Sequence, residues 1–267
     1  MAGKHFAKSK KSVRFRKGIV LILSIAIIAA IIYLVTYFYN DWKSKSYMQD
    51  LASSVDEAFE EDEKNNVKNN SANSKVLQEL AELKKENSDL VGWLKIDGTN
   101  INYPVVHIEG DNDYYLNHDF KKEYSELGAI YLDKDCSVSK PTDNFLIYGH
   151  RNINGQMFET LTRYKEKSFY KEHPTVQFAT LDEVAEYEII AVFQSQVYLK
   201  SQDVFKYYFF KDAENEEEFD DYIKNIKKLS MYDIEETASY GDQLITLSTC
   251  DYHVEDGRFA VVAKKIN

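Results

Sequence analysis

The stretch "LITLSTCDYHVEDGRFAVVAKKIN", residues 244–267, decides the fold class, because it holds two strand-like runs joined by a short polar loop. Cys250 ends the first run and Arg258 begins the second. Apolar runs rich in β-branched and aromatic residues, separated in this way, are typical of a β-hairpin. We therefore predict strands over 243–249 and 258–266, and a hairpin of this length can bring the thiol and the guanidinium close together.

Similar runs earlier in the chain predict further strands. They lie at 92–106, as two short strands around a turn, and at 128–133, 144–150, 175–180 and 186–199. The 20 Tyr and 15 Phe of the chain favour a β-rich core.

Helical periodicity appears in fewer places. Ser74 is a suitable N-cap for a helix over 75–87, and 214–229 has one apolar face with acids at its start and lysines at its end. Short helices are expected around 112–117 and 155–163. The predicted fold class is mostly β with two or three helices.

The N-terminal region has the pattern of a membrane anchor. Residues 1–17 carry seven Lys and Arg and no acid, and the 22 residues 18–39 carry no charge. That length suffices to cross a bilayer as a helix, and a basic flank stays on the cytoplasmic side. A cleaved signal peptide is the alternative, but it would have a shorter apolar region and a small-residue cleavage site.

The polar residues 40–73, which end in "NNVKNNSANS", are predicted to be a flexible extracellular linker before a folded domain at 74–267. The net charge of −11 and the seven cations of the arm leave the rest of the chain with a net charge of −18. Because so acidic a body repels phosphates, nucleic-acid binding is not expected.

Cys250 is a candidate nucleophile. A lone Cys is more often a buried structural thiol, but "TLST" before it is rich in hydroxyls and the loop after it is polar. The chain has one other cysteine, Cys136, which suffices by count for a disulfide that a domain of this size does not need. A thiol nucleophile needs a nearby base.

Among the six histidines, two are the main candidates for that base. His150 ends the strand-like run "LIYGH", where Gly149 permits close approach, and His253 lies three residues after Cys250. Position in the sequence favours His150 as the base, but it does not exclude His253. Metal binding is not expected, because the chain has no HExxH or CxxC motif. Arg258 is either a donor to a developing oxyanion or a solvated arginine at a strand edge.

Three elements together carry a family resemblance. "YGH" (148–150), "TLSTC" (246–250) and Arg258, in this order behind an anchor, resemble the sortases. Segments such as "WLKIDGTNINYPVV", "DNDYYLNHDF" and "GRFAVVAKKI", and the helix before the Cys strand, look like class B sortases. The resemblance extends over most of 88–267 and implies an eight-stranded β-barrel.

The resemblance also implies an activity and its residues. Cys250 would be the nucleophile of a cysteine transpeptidase, His150 its general acid/base and Arg258 its oxyanion or substrate-aligning group. No cofactor or metal is implied. Residues that match or flank the family's groove segments are implied to bind substrate; they are Asn112, Leu116, Tyr148, Ser248, Thr249 and Asp251.

The implied partners are secreted proteins with a C-terminal sorting signal, a peptidoglycan-precursor amine as acceptor, and the membrane through a single N-terminal helix. The catalytic domain would be extracellular. Three alternatives stay open: a pilus-polymerising sortase, a hydrolytic surface cysteine protease, and a non-enzymatic surface β-barrel protein.

Overall fold

The structure is a computed structural model that describes residues 10–67, 70–71, 73–152 and 155–266. The chain divides into two compact units, Met1–Leu51 and Ala52–Asn267.

The first unit contains most of helix α1, Lys10–Lys64. Its uncharged part, 18–39, has exposed side chains throughout and spans about 33 Å, which matches a hydrocarbon core of about 30 Å. Its hydroxyls bond back to the helix: Ser24 Oγ donates to Val20 O at 2.8 Å. In the described part of the chain, this is the one helix long and apolar enough to cross a membrane.

The linker expected over 40–73 differs from the structure. Helix α1 continues to Lys64, and Val55 and Ala58 on it are buried. Asp56 accepts a hydrogen bond from Asn102 Nδ2 at 2.9 Å and pairs with Lys95 Nζ at 2.8 Å, so this segment is fixed to the barrel. A few apolar side chains in a polar helix are enough for docking. The polar composition of the segment therefore gave no sign that it packs on the barrel. Residues 68, 69 and 72 lie outside the described residues.

Eight strands form a closed barrel in the described part of the second unit, in the order β1-β2-β3-β4-β7-β8-β6-β5. Their bounds are β1 Leu90–Lys95, β2 Asn102–Val106, β3 Ile130–Leu132, β4 Asn144–Tyr148, β5 Thr175–Thr180, β6 Val184–Gln196, β7 Leu244–Cys250 and β8 Gly257–Lys265. All seven predicted strand regions are confirmed, with ends that shift by a few residues. The pairs β2–β3 and β4–β7 are parallel, and the other pairs are antiparallel.

The barrel core is apolar and rich in aromatic side chains, as the composition indicated. Rings that are almost completely buried come from several strands and from the segments that cover them; they include Trp93, Phe178, Tyr187, Phe193, Phe219 and Phe259.

Three further α-helices lie in the described part of this unit: α2 Lys75–Glu86, α3 Lys167–Glu172 and α4 Glu216–Leu229. Ser74 caps α2 by accepting from Leu77 N, as predicted. Helix α4 packs against β6 through its apolar face, which includes Phe219 and Ile226. Short 3-10 turns lie at Tyr114–Leu116, Thr160–Lys165 and Tyr207–Phe209. The helix expected at 155–163 is thus displaced toward the C-terminus, and α3 was not predicted.

Candidate active site

The parallel pairing of β4 with β7 brings His150 and Cys250 together. Tyr148 lies opposite Ser248 in this pair, and each of the two site residues follows two positions later in its own chain segment. Gly149 N donates to Ser248 O at 3.2 Å, and Thr249 Oγ1 donates to Gly149 O at 2.8 Å. These bonds continue the pairing past the strand ends, so both residues leave the barrel at the same end.

Gly149 is required by this close packing. A Cβ atom at Gly149 would lie 2.5 Å from Cδ1 of Ile130 and 2.8 Å from the ring of Phe158. Because real Cβ contacts are never so short, a larger residue would push the His150 backbone away from the barrel.

Arg258 lies directly opposite Cys250 in the β7–β8 pair. Opposed residues of an antiparallel pair point to the same face, so the guanidinium and the thiol share one side of the hairpin. Arg258 is half-buried, and its Nη1 donates to Gly257 O at 2.9 Å and to Asp256 O at 3.3 Å. The predicted proximity of the two residues is confirmed.

The ring of His150 is oriented by the backbone. Its Nε2 lies 2.7 Å from Leu116 O, and a carbonyl oxygen can only accept, so Nε2 carries a hydrogen. Nδ1 is then the nitrogen that can gain or lose a proton in this arrangement.

A cavity of about 260 Å³ opens at this end of the barrel, and Cys250, His150 and Arg258 all line it. Five of the six residues implied to bind substrate also line it; they are Asn112, Leu116, Tyr148, Ser248 and Thr249. The cavity therefore combines a thiol, an imidazole and a guanidinium in one groove, which is an arrangement for acyl transfer through a thioester.

Comparisons with known proteins agree with this geometry. Residues 94–266 match the sortase domain family. The chain is 36% identical to sortase B of Listeria monocytogenes over 196 residues, which are 73% of this chain and 76% of that protein. It is 31% identical to sortase B of Staphylococcus aureus over 193 residues, 72% of this chain and 76% of that protein. The chain belongs to the class B sortases.

Solved structures show the same fold. A Staphylococcus aureus sortase B–substrate complex has a TM-score of 0.72 at 26% identity and covers 86% of this chain and 99% of that one. A Bacillus anthracis sortase B in complex with AAEK1 has a TM-score of 0.71 at 28% identity, with coverage of 86% and 99%. The predicted eight-stranded barrel and the predicted class of cysteine transpeptidase are confirmed.

A buried carboxylate organises one wall of the groove in this sortase. Asp133, which is 3% exposed, accepts from Asn112 Nδ2 and from the Tyr148 hydroxyl, each at 3.1 Å. Burial, together with the charge of Asp133, raises the pKa of Tyr148, so its hydroxyl stays a donor. Asn112 Oδ1 in turn accepts from Lys134 N at 2.7 Å. Asn112 and Tyr148 are thus held by shared partners before any substrate arrives.

A second wall is fixed by Tyr207 from the 3-10 turn after β6. Its hydroxyl lies 2.7 Å from Ser248 Oγ, and both residues are buried. Burial raises the pKa of Tyr207 to about 12, which keeps the phenol neutral. The side chain of Ser248 is therefore covered by Tyr207, and this contact fixes the cavity wall near the end of β7.

Of the six residues implied to bind substrate, Asp251 is the one that lies outside the cavity lining. It does not line the cavity, and its carboxylate is buried among Arg151 Nη1 at 2.8 Å, Lys165 Nζ at 2.9 Å and Gln194 Nε2 at 2.6 Å. The rival base His253 also contacts this carboxylate, with Nδ1 at 3.1 Å, and does not line the cavity.

The ionisation of Asp251 follows from these partners. Burial opposes it, but hydrogen bonds from Gln194 and Lys165 and the charges of Lys165 and His253 outweigh burial and lower the pKa of Asp251. The residue after the thiol is therefore a buried anion.

The sequence reading missed several groove residues: Asp113, Tyr131, Val197, Tyr207 and Tyr208 line the cavity, and Asp133 supports it. Asp133 ends the predicted strand "GAIYLD", where a polar residue after an apolar run was the available signal.

Both cysteines are free, and the buried Cys136 donates to Asn144 O. In the described part of the chain, no group of three or more His, Cys, Asp and Glu could hold a metal.

Proposed function

We propose that Cys250 is the nucleophile of this transpeptidase, His150 its general acid/base and Arg258 its oxyanion donor. The observation that carries the proposal is that these three side chains line one cavity, on neighbouring strand ends and across one hairpin. The substrate is a secreted protein with a sorting signal near its C-terminus.

In the first half-reaction, the thiolate of Cys250 attacks the carbonyl carbon of a threonine in the signal. The C–S bond forms, the peptide C–N bond breaks, and protonated His150 donates a proton to the leaving amine. Arg258 donates hydrogen bonds to the oxygen while it carries negative charge. The energy of the peptide bond is retained in the thioester.

In the second half-reaction, an amine of a peptidoglycan precursor attacks the thioester. The new C–N bond forms, the C–S bond breaks, and the proton of the amine returns to His150. Because Nε2 of His150 donates to Leu116 O, Nδ1 is the nitrogen that carries the proton in both directions.

The N-terminal helix supports a site of action at the cell membrane. The basic arm 1–17 favours a cytoplasmic N-terminus, which places the domain outside, where secreted proteins and lipid-linked wall precursors occur. Proteolysis of intact protoplasts tests this orientation. The domain after α1 is expected to be degraded without lysis, and its protection until lysis would contradict an extracellular site.

The substrate is tested with the full chain in detergent micelles. A library of Thr-containing peptides is added, and mass spectrometry measures the mass added to Cys250, which identifies the acyl half of the signal. Cys250→Ala is the control and is expected to trap nothing. The absence of any adduct in the wild-type chain would contradict the thioester mechanism.

The acceptor is tested by adding amines to the trapped acyl-enzyme. Transfer to a wall-precursor amine supports cell-wall anchoring, and transfer to a lysine side chain of a surface protein supports polymerisation of subunits instead. Release of free acid at the same rate with and without amine would identify a hydrolytic protease.

A further inference from the structure

A cluster of charged side chains lies next to the active site. Arg151 directly follows His150, and Asp251 directly follows Cys250. Arg151 Nη1 lies 2.8 Å from Asp251 Oδ1, and the Asp251 side chain is 2% exposed. The residues next to the base and the nucleophile are therefore joined by one partly buried ion pair.

Arg151 and Asp251 each have further partners besides one another. Arg151 Nε donates to Glu159 Oε2 at 2.9 Å, and the Arg151 guanidinium lies 4.9 Å from the ring centre of Tyr252. The carboxylate of Asp251 accepts hydrogen bonds from Lys165 Nζ and Gln194 Nε2, and the backbone N of Asp251 donates to Gly257 O at 2.9 Å. The pair thus has little freedom to rotate, since each group has partners on several elements.

We propose that Arg151 and Asp251 form a clamp that sets the distance between His150 and Cys250. They are positioning residues: neither lines the cavity, and the clamp acts through the backbone of His150 and Cys250, which directly precede them. The inference rests on the proposed roles of Cys250 and His150.

The physical reason is the geometry of the strand ends. The β4–β7 ladder ends at Tyr148 and Ser248, so His150 and Cys250 lie beyond the last paired positions of this ladder, although Cys250 is still paired with Arg258 of β8. Thr249 bonds to Gly149 O at this junction, and the ion pair adds a second link two residues further along both segments. A displacement of about 1 Å in a catalytic group can cost about 10²-fold in rate, so a second closure has a measurable effect.

The test measures alkylation of Cys250 by iodoacetamide across a pH series, using the full chain in detergent micelles. This probe needs no substrate, and its pH profile reports the thiol and its neighbouring imidazole. Arg151→Gln and Asp251→Asn are each expected to displace the profile. With the peptide found in the library, each is expected to slow transfer about 10- to 100-fold.

Coupling is tested with the double variant. Because the two residues act as a unit, Arg151→Gln/Asp251→Asn is expected to be no slower than the slower single variant. The matched control is Lys264→Gln, which breaks the Lys264–Glu188 pair at 3.2 Å between β8 and β6 and is expected to keep the wild-type profile. If Arg151→Gln prevents folding, Arg151→Lys is used in its place. A lysine keeps the positive charge but lacks the planar guanidinium that contacts both Glu159 and Asp251, so the same results are expected.

The outcomes separate the clamp from the catalytic roles. If His150→Ala shifts the alkylation profile while both clamp variants keep the wild-type profile and transfer rate, the clamp is refuted and the proposed function stands. If His150→Ala also leaves the profile and the transfer rate unchanged, the Cys–His pair itself fails. Additive losses in the double variant would show two independent effects and overturn the clamp.

Discussion

Under the proposed function, Arg258 stabilises the charge that develops on the carbonyl oxygen of the substrate, and its surroundings suit that role. Its guanidinium donates to the carbonyl oxygens of Gly257 and Asp256, while strand pairing fixes its backbone opposite Cys250. The side chain is therefore oriented before a substrate binds, which lowers the reorganisation needed in the transition state.

Replacing Arg258 by Ala is expected to lower kcat about 10²- to 10³-fold, the usual loss when one oxyanion donor is removed. Arg258→Lys is the matched control and should recover only part of the rate, because a lysine lacks the planar fork. Single-turnover rates of acyl-enzyme formation measure both. Wild-type rates in Arg258→Ala would remove this residue from the mechanism.

Tyr207 is expected to matter for stability and for the groove wall. Tyr207→Phe leaves the buried Ser248 hydroxyl without its tyrosine partner and should cost about 1–3 kcal/mol. The control is Tyr222→Phe, since Thr246, which lies 3.4 Å from the Tyr222 hydroxyl, also donates to Asn144 and keeps that bond. Urea denaturation compares them, and equal losses would contradict the importance of the Tyr207–Ser248 bond.

At this scale, the sequence identifies residues whose neighbours in the chain form a motif. Cys250, His150 and Arg258 each stand at the end or start of a strand-like run, and the structure brings them together. Asp133 and Tyr207 could not be assigned in this way, because their roles depend on partners far away in the chain. Asp251 was misplaced for the same reason: its cations come from other segments.

At the scale of elements, the end of α1 acts as a cap for the next helix. Asp62 accepts from Ser74 Oγ at 2.6 Å, Lys75 N at 2.7 Å and Val76 N at 3.2 Å. A carboxylate at the first turn of α2 satisfies amides that have no partner within the helix and interacts favourably with the helix dipole. The polar segment before α2 is thereby joined to the domain.

Asp62→Ala is expected to lower the free energy of unfolding by about 1–2 kcal/mol, the range of a lost helix cap. Glu60→Ala is the matched control, because Glu60 forms an exposed pair with Lys64 that contributes about 0.5 kcal/mol or less. Thermal denaturation measures both variants. Equal shifts would show that Asp62 is only a surface acid.

Elements with a clear period or β-rich composition were predictable from the sequence, and α4 begins within two residues of its predicted start. The helical continuation of α1 was not, because its docking depends on single contacts such as those of Asp56 and Asp62 rather than on an apolar stripe. The strand order of the barrel could not be predicted from local patterns, since β4 pairs with a strand one hundred residues later in the chain.

At the scale of the whole molecule, acid stability depends on buried anions. The pKa of Asp251 is lowered in the folded chain, so its ionised form stabilises the fold. This contribution is complete above the ordinary pKa of an aspartate, near 3.8, and is lost as the pH falls through the lowered value.

Asp251→Asn is therefore expected to be less stable than the wild type at neutral pH, and the difference should shrink as the pH falls below about 4. The exposed Asp203→Asn serves as control and should follow the wild type throughout. Urea midpoints over a pH series measure this. A constant difference at all pH values would indicate that the amide acts by steric misfit instead of by loss of charge.

The parallel pairing of β4 with β7 has a consequence for the time at which the enzyme becomes active. His150 is synthesised one hundred residues before Cys250. At about 5–20 residues per second, the growing chain carries His150 and much of the cavity lining for about 5–20 s before Cys250 is made. The β-barrel closes only when β7 inserts beside β4 and β8 pairs with both β7 and β6. The cavity lined by Cys250, His150 and Arg258 is therefore completed only at the end of synthesis, because Cys250 and Arg258 lie on its last two strands.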